Sequence, residues 1–201
     1  VQMLNRDPFW TGDYFGANNV RGAHDAVANL IARGHRVIGH LRGRASFVAE
    51  ERLRGYTEAL VAAGLEADPG LVAAGRFSRE DAALASAALI EARPDMTAIF
   101  CASDLMAYGA LDELARRGLS VPRDMAVVGF DDTAFSSLDG VGLSTVRFDV
   151  DVLAERAVAR LVDRIEGRVD LAADPVFDIR PCSLIHRRTT DIVLAGGEQT
   201  P

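Results

Sequence analysis

Residues 96–130, MTAIFCASDLMAYGALDELARRGLSVPRDMAVVGF, contain the pattern of one complete strand–helix–strand unit. Apolar runs of strand length occupy 97–102 and 125–130, and Ser103 with Asp104 marks the start of a helical segment that ends before Gly118. Strands that alternate with helices in this way are typical of a parallel sheet covered by helices. The stretch therefore predicts an α/β fold.

The same alternation continues on both sides of this unit. On the N-terminal side it predicts helices at 19–33, 49–63 and 78–92 and strands at 36–41 and 71–74. On the C-terminal side it predicts a strand at 143–146, a helix at 149–166 and a last strand at 176–185, followed by a disordered tail from Asp191. Only the architecture recurs and not the sequence, which argues against a solenoid.

Composition and charge exclude several classes of protein. The chain has 201 residues, of which 49% are hydrophobic, and no apolar run approaches the roughly 20 residues of a membrane-spanning helix, so we expect a soluble globular protein. The net charge of -7 opposes binding of nucleic acid by these residues. All 22 basic residues are arginine, which excludes lysine-dependent chemistry, including that of the phosphate-binding loop.

Motifs for metal binding and catalysis are absent from the sequence. The four histidines and the two cysteines, Cys101 and Cys182, lack the spacing of metal ligands, and we expect both thiols to be free. There is no G-x-S-x-G motif, and the glycines of 140–142 lack the third glycine of a dinucleotide-binding loop. The adjacent carboxylates Asp131 and Asp132 point in different directions along an extended chain. We predict no metal, no cofactor and no enzyme activity.

Polar and aromatic side chains follow the predicted strands at their carboxyl ends, the edge at which open parallel sheets bind ligands. An arginine supplies donors to hydroxyl oxygens, a carboxylate accepts hydrogen bonds from hydroxyl groups, and an aromatic face covers an apolar ring surface. Such a set favours a polyol ligand. The residues at these positions are Arg52, Phe77, the pair Ser103 and Asp104, and the pair Asp131 and Asp132.

Each of these residues also has a structural interpretation that the sequence leaves open. Arg52 suits an exposed helix position, Ser103 suits a helix N-cap, and Asp104 suits the first turn of a helix. Asp131 suits a turn, and Phe77 suits the core. Their common position at one edge of the sheet is the argument for a shared ligand.

Several segments resemble the lac-repressor family of bacterial transcription regulators. The similarity is to the effector-binding domain of that family, which has a two-lobed fold of periplasmic-binding-protein type I with parallel sheets flanked by helices. The motifs occur in register over nearly the whole chain. They are LIARGHRVIGHLRG (30–43), ERLRGYTEAL (51–60), LVAAGRFS (71–78), MTAIFCASDLMAYGAL (96–111), RRGLSVPRDMAVVGFDD (116–132), LSTVRFD (143–149) and LIHRRTT (184–190).

The resemblance implies how the chain divides between the two lobes. Residues 1–17 and 147–176 would belong to an N-terminal lobe that is incomplete, because its first strands and helices are absent from the chain. Residues 18–146 and 177–190 would form the C-terminal lobe, and 191–201 would be a tail. The ligand would lie between the lobes.

The resemblance also implies ligand contacts at six positions. The arginine at the second position of ERLRG would hold effector hydroxyls or a carboxylate, the first aspartate of GFDD would accept hydrogen bonds from the effector, and the phenylalanine of LVAAGRFS would stack on it. A serine stands where many members have asparagine, and an asparagine stands where many have aspartate, so the identity of the effector does not transfer. The six residues are Asn18, Arg52, Phe77, Ser103, Asp131 and Phe148.

The function implied by the resemblance is ligand-controlled regulation of transcription. A small-molecule effector, most simply a sugar, would close the lobes of a homodimer whose contacts involve the helix of 105–117 and the segment after Asp132. Operator DNA would bind to a helix-turn-helix domain upstream of Val1, in a cytoplasmic protein. The alternative is a periplasmic sugar-binding protein of a transport system, and an enzyme on a related scaffold is a third interpretation.

Overall fold

The computed structural model describes residues 1–7 and 9–194. Their helices are α1 (Asn19–Ala32), α2 (Phe47–Ala62), α3 (Arg79–Ala92), α4 (Asp104–Arg116) and α5 (Val150–Ile165). Their strands are β1 (Gln2–Met3), β2 (Tyr14–Ala17), β3 (Ile38–Arg42), β4 (Val72–Ala74), β5 (Ala98–Cys101), β6 (Ala126–Phe130), β7 (Ser144–Arg147), β8 (Phe177–Arg180) and β9 (Ser183–Ile185). The alternation of strands and helices confirms the predicted α/β fold.

The larger of two sheets has six strands in the order β4-β3-β5-β6-β7-β9. All neighbouring strands are parallel except β9, which runs antiparallel to β7. Ser78 and Ser103 cap α3 and α4, because each hydroxyl accepts a hydrogen bond from a backbone N–H in the first turn. Because β3, β5 and β6 are parallel, their carboxyl ends meet at one edge of this sheet.

Apolar side chains cover both faces of the larger sheet. On one face Leu41 and Ile99 pack in a cluster with side chains of α3 and α4. On the other face Ile38 and Phe100 pack in a cluster with side chains of α1 and α2. Because helices cover both faces, successive residues of these strands are buried and each strand reads as a continuous apolar run.

The smaller sheet has three parallel strands in the order β1-β2-β8, and α5 packs on it through Leu153 and Ala157. Asp13 ties this helix to the sheet: its carboxylate accepts hydrogen bonds from Arg160 at 3.1 Å and from Arg164 at 2.5 Å. The Arg164 guanidinium holds the pKa of Asp13 well below its usual range. This buried carboxylate remains charged because its arginine partners satisfy it.

The last predicted strand, 176–185, is two strands in the structure. β8 pairs with β2 in the smaller sheet, and β9 pairs with β7 in the larger one. The break falls at Pro181 and Cys182, because proline has no N–H group to donate to a strand ladder. The chain thus passes to the larger sheet after Arg180 rather than near Phe177. The other lobe boundaries stay a prediction.

Two further expectations concern membrane-spanning helices and the C-terminal tail. In residues 1–7 and 9–194 no helix is both long enough and apolar enough to cross a membrane. The backbone N–H of Leu194 donates to the carbonyl oxygen of Arg33 at 2.8 Å, so the start of the predicted disordered tail contacts the end of α1. The rest of that predicted tail, 195–201, lies outside the described residues.

Two histidines are buried with one ring nitrogen unsatisfied. His40 lies between the rings of Tyr56 and Phe100, each 5.0 Å away, and its Nδ1 is 3.1 Å from the carbonyl oxygen of Phe100. The Nδ1 atom of His35 is 2.9 Å from the hydroxyl of Thr97. In the described part of the chain, neither buried Nε2 has a hydrogen-bond partner. Burial lowers the pKa of both histidines to about 4.

We predict that mild acid destabilises the protein, because both histidines fold in the neutral form. Folding lowers the pKa of each histidine from 6.5 to about 4. The contribution of each neutral ring to the free energy of unfolding is therefore complete above pH 6.5 and is lost as the pH falls toward 4. At pH 5 the loss is on the order of 2 kcal/mol for each histidine. Urea unfolding at pH 7 and pH 5 measures it. His40→Leu should show a smaller loss than the wild type, and an equal loss would contradict the assignment.

Candidate functional site

A cavity of about 330 Å³ lies where the two sheets meet, within the roughly 300–1,000 Å³ that is common for small-molecule sites. Leu4 and Asn5, which follow β1, and Ala17, the last residue of β2, line it on one side. The remaining lining comes from chain segments around the larger sheet. It includes four of the six residues predicted from the sequence, Arg52, Phe77, Asp131 and Phe148, together with Asn19, Arg44, Ser46 and Val48.

Arg52 is buried in this cavity wall and its guanidinium is fixed by three hydrogen bonds. Nε donates to Asn19 Oδ1 at 3.0 Å, and Nη1 donates to the carbonyl oxygen of Ala102 at 2.6 Å and to Asp131 Oδ1 at 3.2 Å. The guanidinium carbon also lies 3.6 Å from the centre of the Phe130 ring. Burial lowers the pKa of Arg52, and the nearby Asp131 carboxylate opposes this shift. Within the described residues its Nη2 group donates to no acceptor.

Asp131 stands directly after β6 with a backbone φ of 121°, in a region that side chains rarely adopt. Its own N–H donates to the carbonyl oxygen of Val146 at 2.8 Å, which holds this conformation in place. The side chain is 32% exposed, so the carboxylate is accessible from the cavity. Burial raises the pKa of Asp131 to about 6 although Arg52 opposes the shift. The carboxylate is therefore an acceptor that becomes protonated near pH 6.

Phe77 forms an aromatic wall of the cavity. Its backbone φ is 58°, and its N–H donates to the sulfur of Met106 at 3.2 Å. The ring lies against Gly43, where a Cβ atom would come within 2.1 Å of the ring carbons. Only a glycine at this position lets the ring lie so close to the loop after β3.

Backbone strain is concentrated at this cavity. Among the described residues, five that are not glycine have a positive φ. Leu4, Phe77 and Asp131 line the cavity, and Arg76 and Asp132 are their neighbours in sequence. Such conformations cost roughly 1–3 kcal/mol each and cluster at functional sites, where the surrounding structure maintains them. The strain singles out this cavity from larger ones elsewhere on the surface.

Two of the sequence-predicted residues do not line the cavity. Ser103 accepts a hydrogen bond from the backbone N–H of Met106 at 3.2 Å and caps α4. Asn18 accepts one from the N–H of Arg21 at 3.1 Å and caps α1. Asn19, which was not among the residues predicted from the sequence, lines the cavity instead. It is the second residue after β2 and the first of α1, so a search extended past the carboxyl end of this strand would have found it.

Asp104, the neighbour of Ser103, anchors the segment that follows β6. Its fully buried carboxylate accepts hydrogen bonds from the N–H of Thr133 at 2.8 Å and from the hydroxyls of Ser136 and Thr145, both at 2.5 Å. Burial raises its pKa. Asp104 therefore positions Asp131 indirectly. Over residues 1–7 and 9–194, no cluster of three or more His, Cys, Asp or Glu side chains could hold a metal ion.

Comparison with known proteins assigns the chain to a family. The sequence profile of the periplasmic binding protein-like domain matches residues 27–190. The structure of a LacI-family regulator from Sanguibacter keddieii has a TM-score of 0.86 and 33% identity, covering 94% of this chain and 73% of that chain. The chain belongs to the LacI family. The expected family and fold are thereby confirmed, and the chain corresponds to the effector-binding domain of LacI-family proteins.

Named relatives of this LacI-family chain are transcriptional regulators rather than enzymes. CelR of Thermobifida fusca is 39% identical over 155 residues, which are 77% of this chain and 46% of CelR. CytR of Escherichia coli K12 is 33% identical over 174 residues, 86% of this chain and 50% of CytR. The structure of a CelR–cellobiose complex has a TM-score of 0.86 and 34% identity, over 93% of this chain and 57% of that chain. The chain spans about half the length of these curated relatives.

We predict that Gly43→Ala displaces the Phe77 ring, because the new methyl group would overlap it. Overpacking of this kind costs about 1–3 kcal/mol. Gly140→Ala is the matched control, since a Cβ there meets no atom within 4 Å. Urea unfolding of both variants gives the comparison. Equal stabilities of Gly43→Ala and Gly140→Ala would show that the ring does not need the glycine.

Proposed function

We propose that this domain binds a sugar in the 330 Å³ cavity and controls transcription as the effector-binding part of a LacI-family transcriptional regulator. The observation that carries the proposal is the fixed Arg52–Asp131 pair, 3.2 Å apart, beside the Phe77 ring. Arg52 has donors left over, and Asp131 has a second carboxylate oxygen. These groups match the alternating donors and acceptors of vicinal hydroxyl groups.

Two of the similar proteins support a sugar as the ligand. The CelR structure with 34% identity to this chain is a complex with cellobiose. A relative in Haemophilus influenzae that is 33% identical over 151 residues is named a ribose operon repressor. The Phe77 and Phe148 rings offer apolar surface to the carbon-bound face of a pyranose or furanose.

The position of the cavity supports control by closure of two lobes. Residues from both sheets line it, so a ligand that contacts both favours the arrangement in which the sheets approach. A ligand shifts such an equilibrium only by its difference in affinity for the two arrangements. In the whole protein the shift would pass to a helix-turn-helix domain on operator DNA, in the cytoplasm. The likeness to named regulators disfavours the periplasmic transport alternative.

The ligand prediction is tested by a thermal-shift screen of sugars, nucleosides and purines on a protein that carries all 201 residues. A sugar should raise the melting temperature. Arg52→Met should weaken sugar binding about 10- to 100-fold, which corresponds to the free energy that hydrogen bonds from a charged group contribute. Circular dichroism checks that the variant is folded. Arg54→Met, on the same helix and exposed, should bind like the wild type. Wild-type affinity in Arg52→Met would refute the site.

We also expect affinity to depend on pH through Asp131. The ionised carboxylate accepts hydrogen bonds from the ligand, and with a pKa of about 6 it becomes protonated as the pH falls. Between pH 7.5 and pH 5.5 the affinity should drop about fourfold, following the ionised fraction. Asp131→Asn should bind more weakly but without this dependence. A wild-type affinity that is constant over this range would contradict the role of the carboxylate.

The second part of the proposal is a homodimer formed through an apolar groove of about 600 Å³. Leu105 of α4 is 47% exposed and lines one wall of this groove. Successive helical residues point about 100° apart, so Leu105 faces outward while Met106 faces the core. Phe135 and Leu138, after Asp132, are 66% and 51% exposed on the other wall. Exposed apolar patches of this kind mark protein interfaces.

Phe135→Asp should convert the dimer to a monomer, because a carboxylate in a desolvated interface has no partner. The molar mass from light scattering after size-exclusion chromatography gives the oligomeric state. Leu84→Asp is the control, since Leu84 is 71% exposed on α3, outside the groove. Retention of the dimer by Phe135→Asp would place the interface elsewhere.

A further inference from the structure

A second cavity, of about 660 Å³, adjoins the proposed sugar site. Asn5 and Ser46 line both cavities, so these two residues form the boundary between them. Asn5 follows β1 of the smaller sheet, and Ser46 caps α2 beside the larger sheet. The two cavities are therefore consecutive compartments of one cleft, an inner one with Arg52 and an outer one.

Arg6 is the main charged group of the outer compartment. Its guanidinium carbon lies 4.4 Å from the centre of the Phe47 ring and 5.5 Å from that of Tyr14. This stacking holds the flat guanidinium in one orientation. Its Nε atom is buried and has no hydrogen-bond partner among the described residues. A buried donor without an acceptor costs about 1–3 kcal/mol.

Further polar groups around Arg6 have unused hydrogen-bonding capacity. The Oε1 atom of Gln2 accepts from the N–H of Asp7 at 2.9 Å, which leaves its amide donors unused among the described residues. Glu50 accepts from Arg42 at 2.5 Å through Oε1, which leaves Oε2 as an acceptor. The outer compartment thus repeats the chemistry of the inner one, with a fixed guanidinium, a carboxylate and an aromatic ring.

We propose that the outer compartment is a subsite for a second glycosyl unit, so that the effector is a disaccharide or a longer oligosaccharide. One unit lies against the paired Arg52 and Asp131, the linkage passes between Asn5 and Ser46, and the next unit receives hydrogen bonds from Arg6. The subsite rests on the proposed function, because it extends the same ligand. Sugar hydroxyls need donors and acceptors on both sides of the ring, and the outer compartment supplies both.

The test compares matched sugars by calorimetry on a protein that carries all 201 residues. The pairs are glucose with cellobiose, glucose with maltose, and galactose with lactose. For at least one pair the disaccharide should bind at least tenfold more tightly than its monosaccharide. Arg6→Met keeps the apolar stem but removes the donors, so it should abolish this difference while it changes monosaccharide affinity less than twofold.

Two further variants separate a subsite from a structural role. Phe47→Leu removes the ring that fixes Arg6, keeps the helix start apolar, and should reduce disaccharide affinity selectively. Arg54→Met, which is exposed on α2, should bind both sugars like the wild type. If Arg6→Met lowers the affinity for the monosaccharide and the disaccharide equally, Arg6 has only a structural role between the two sheets. That result would refute the subsite.

The outcomes for the wild type distinguish the two proposals. Monosaccharides that bind as tightly as every disaccharide would overturn the subsite and leave the inner sugar site standing. A wild-type protein that binds none of these sugars, nor any other sugar of the thermal-shift screen, would overturn the proposed sugar function itself.

Discussion

The buried guanidinium of Arg52 is the interaction on which the site depends. An unpaired charge at 5% exposure would be strongly destabilising, so its neighbours must supply acceptors. They come from three places: Asn19 at the start of α1, the carbonyl group of Ala102 after β5, and Asp131 after β6. One side chain on α2 thereby fixes the relative positions of a helix start and two strand ends.

The strained backbone at the cavity is maintained by the packing around it. Asp131 keeps its positive φ because its N–H is bound to β7 and because the segment after it is held by the buried Asp104. Phe77 keeps its own positive φ because its ring fits against Gly43 and its N–H is bound to Met106. Rigid positioning of this kind gives a ligand preformed donors and acceptors, which reduces the entropy lost on binding.

Local interactions explain why most of the fold was predictable from the sequence. Ser78 and Ser103 cap helices at the predicted starts, and the apolar runs of β5 and β6 are buried on both faces as their composition indicated. The failures are equally physical. Pro181 breaks the last predicted strand because it has no N–H, and the two halves then pair in different sheets.

The sequence by itself determined the order of strands and helices, the family, and the types of side chain at the strand ends. These follow from short-range periodicity, capping and motif spacing. Only the tertiary structure decided that Asn19 rather than Asn18 lines the cavity, that Ser103 does not line it, and that Arg6 lies beside the same cleft. Neighbouring residues at a helix start point in different directions, and contacts between distant segments depend on how two sheets pack, which no local pattern encodes.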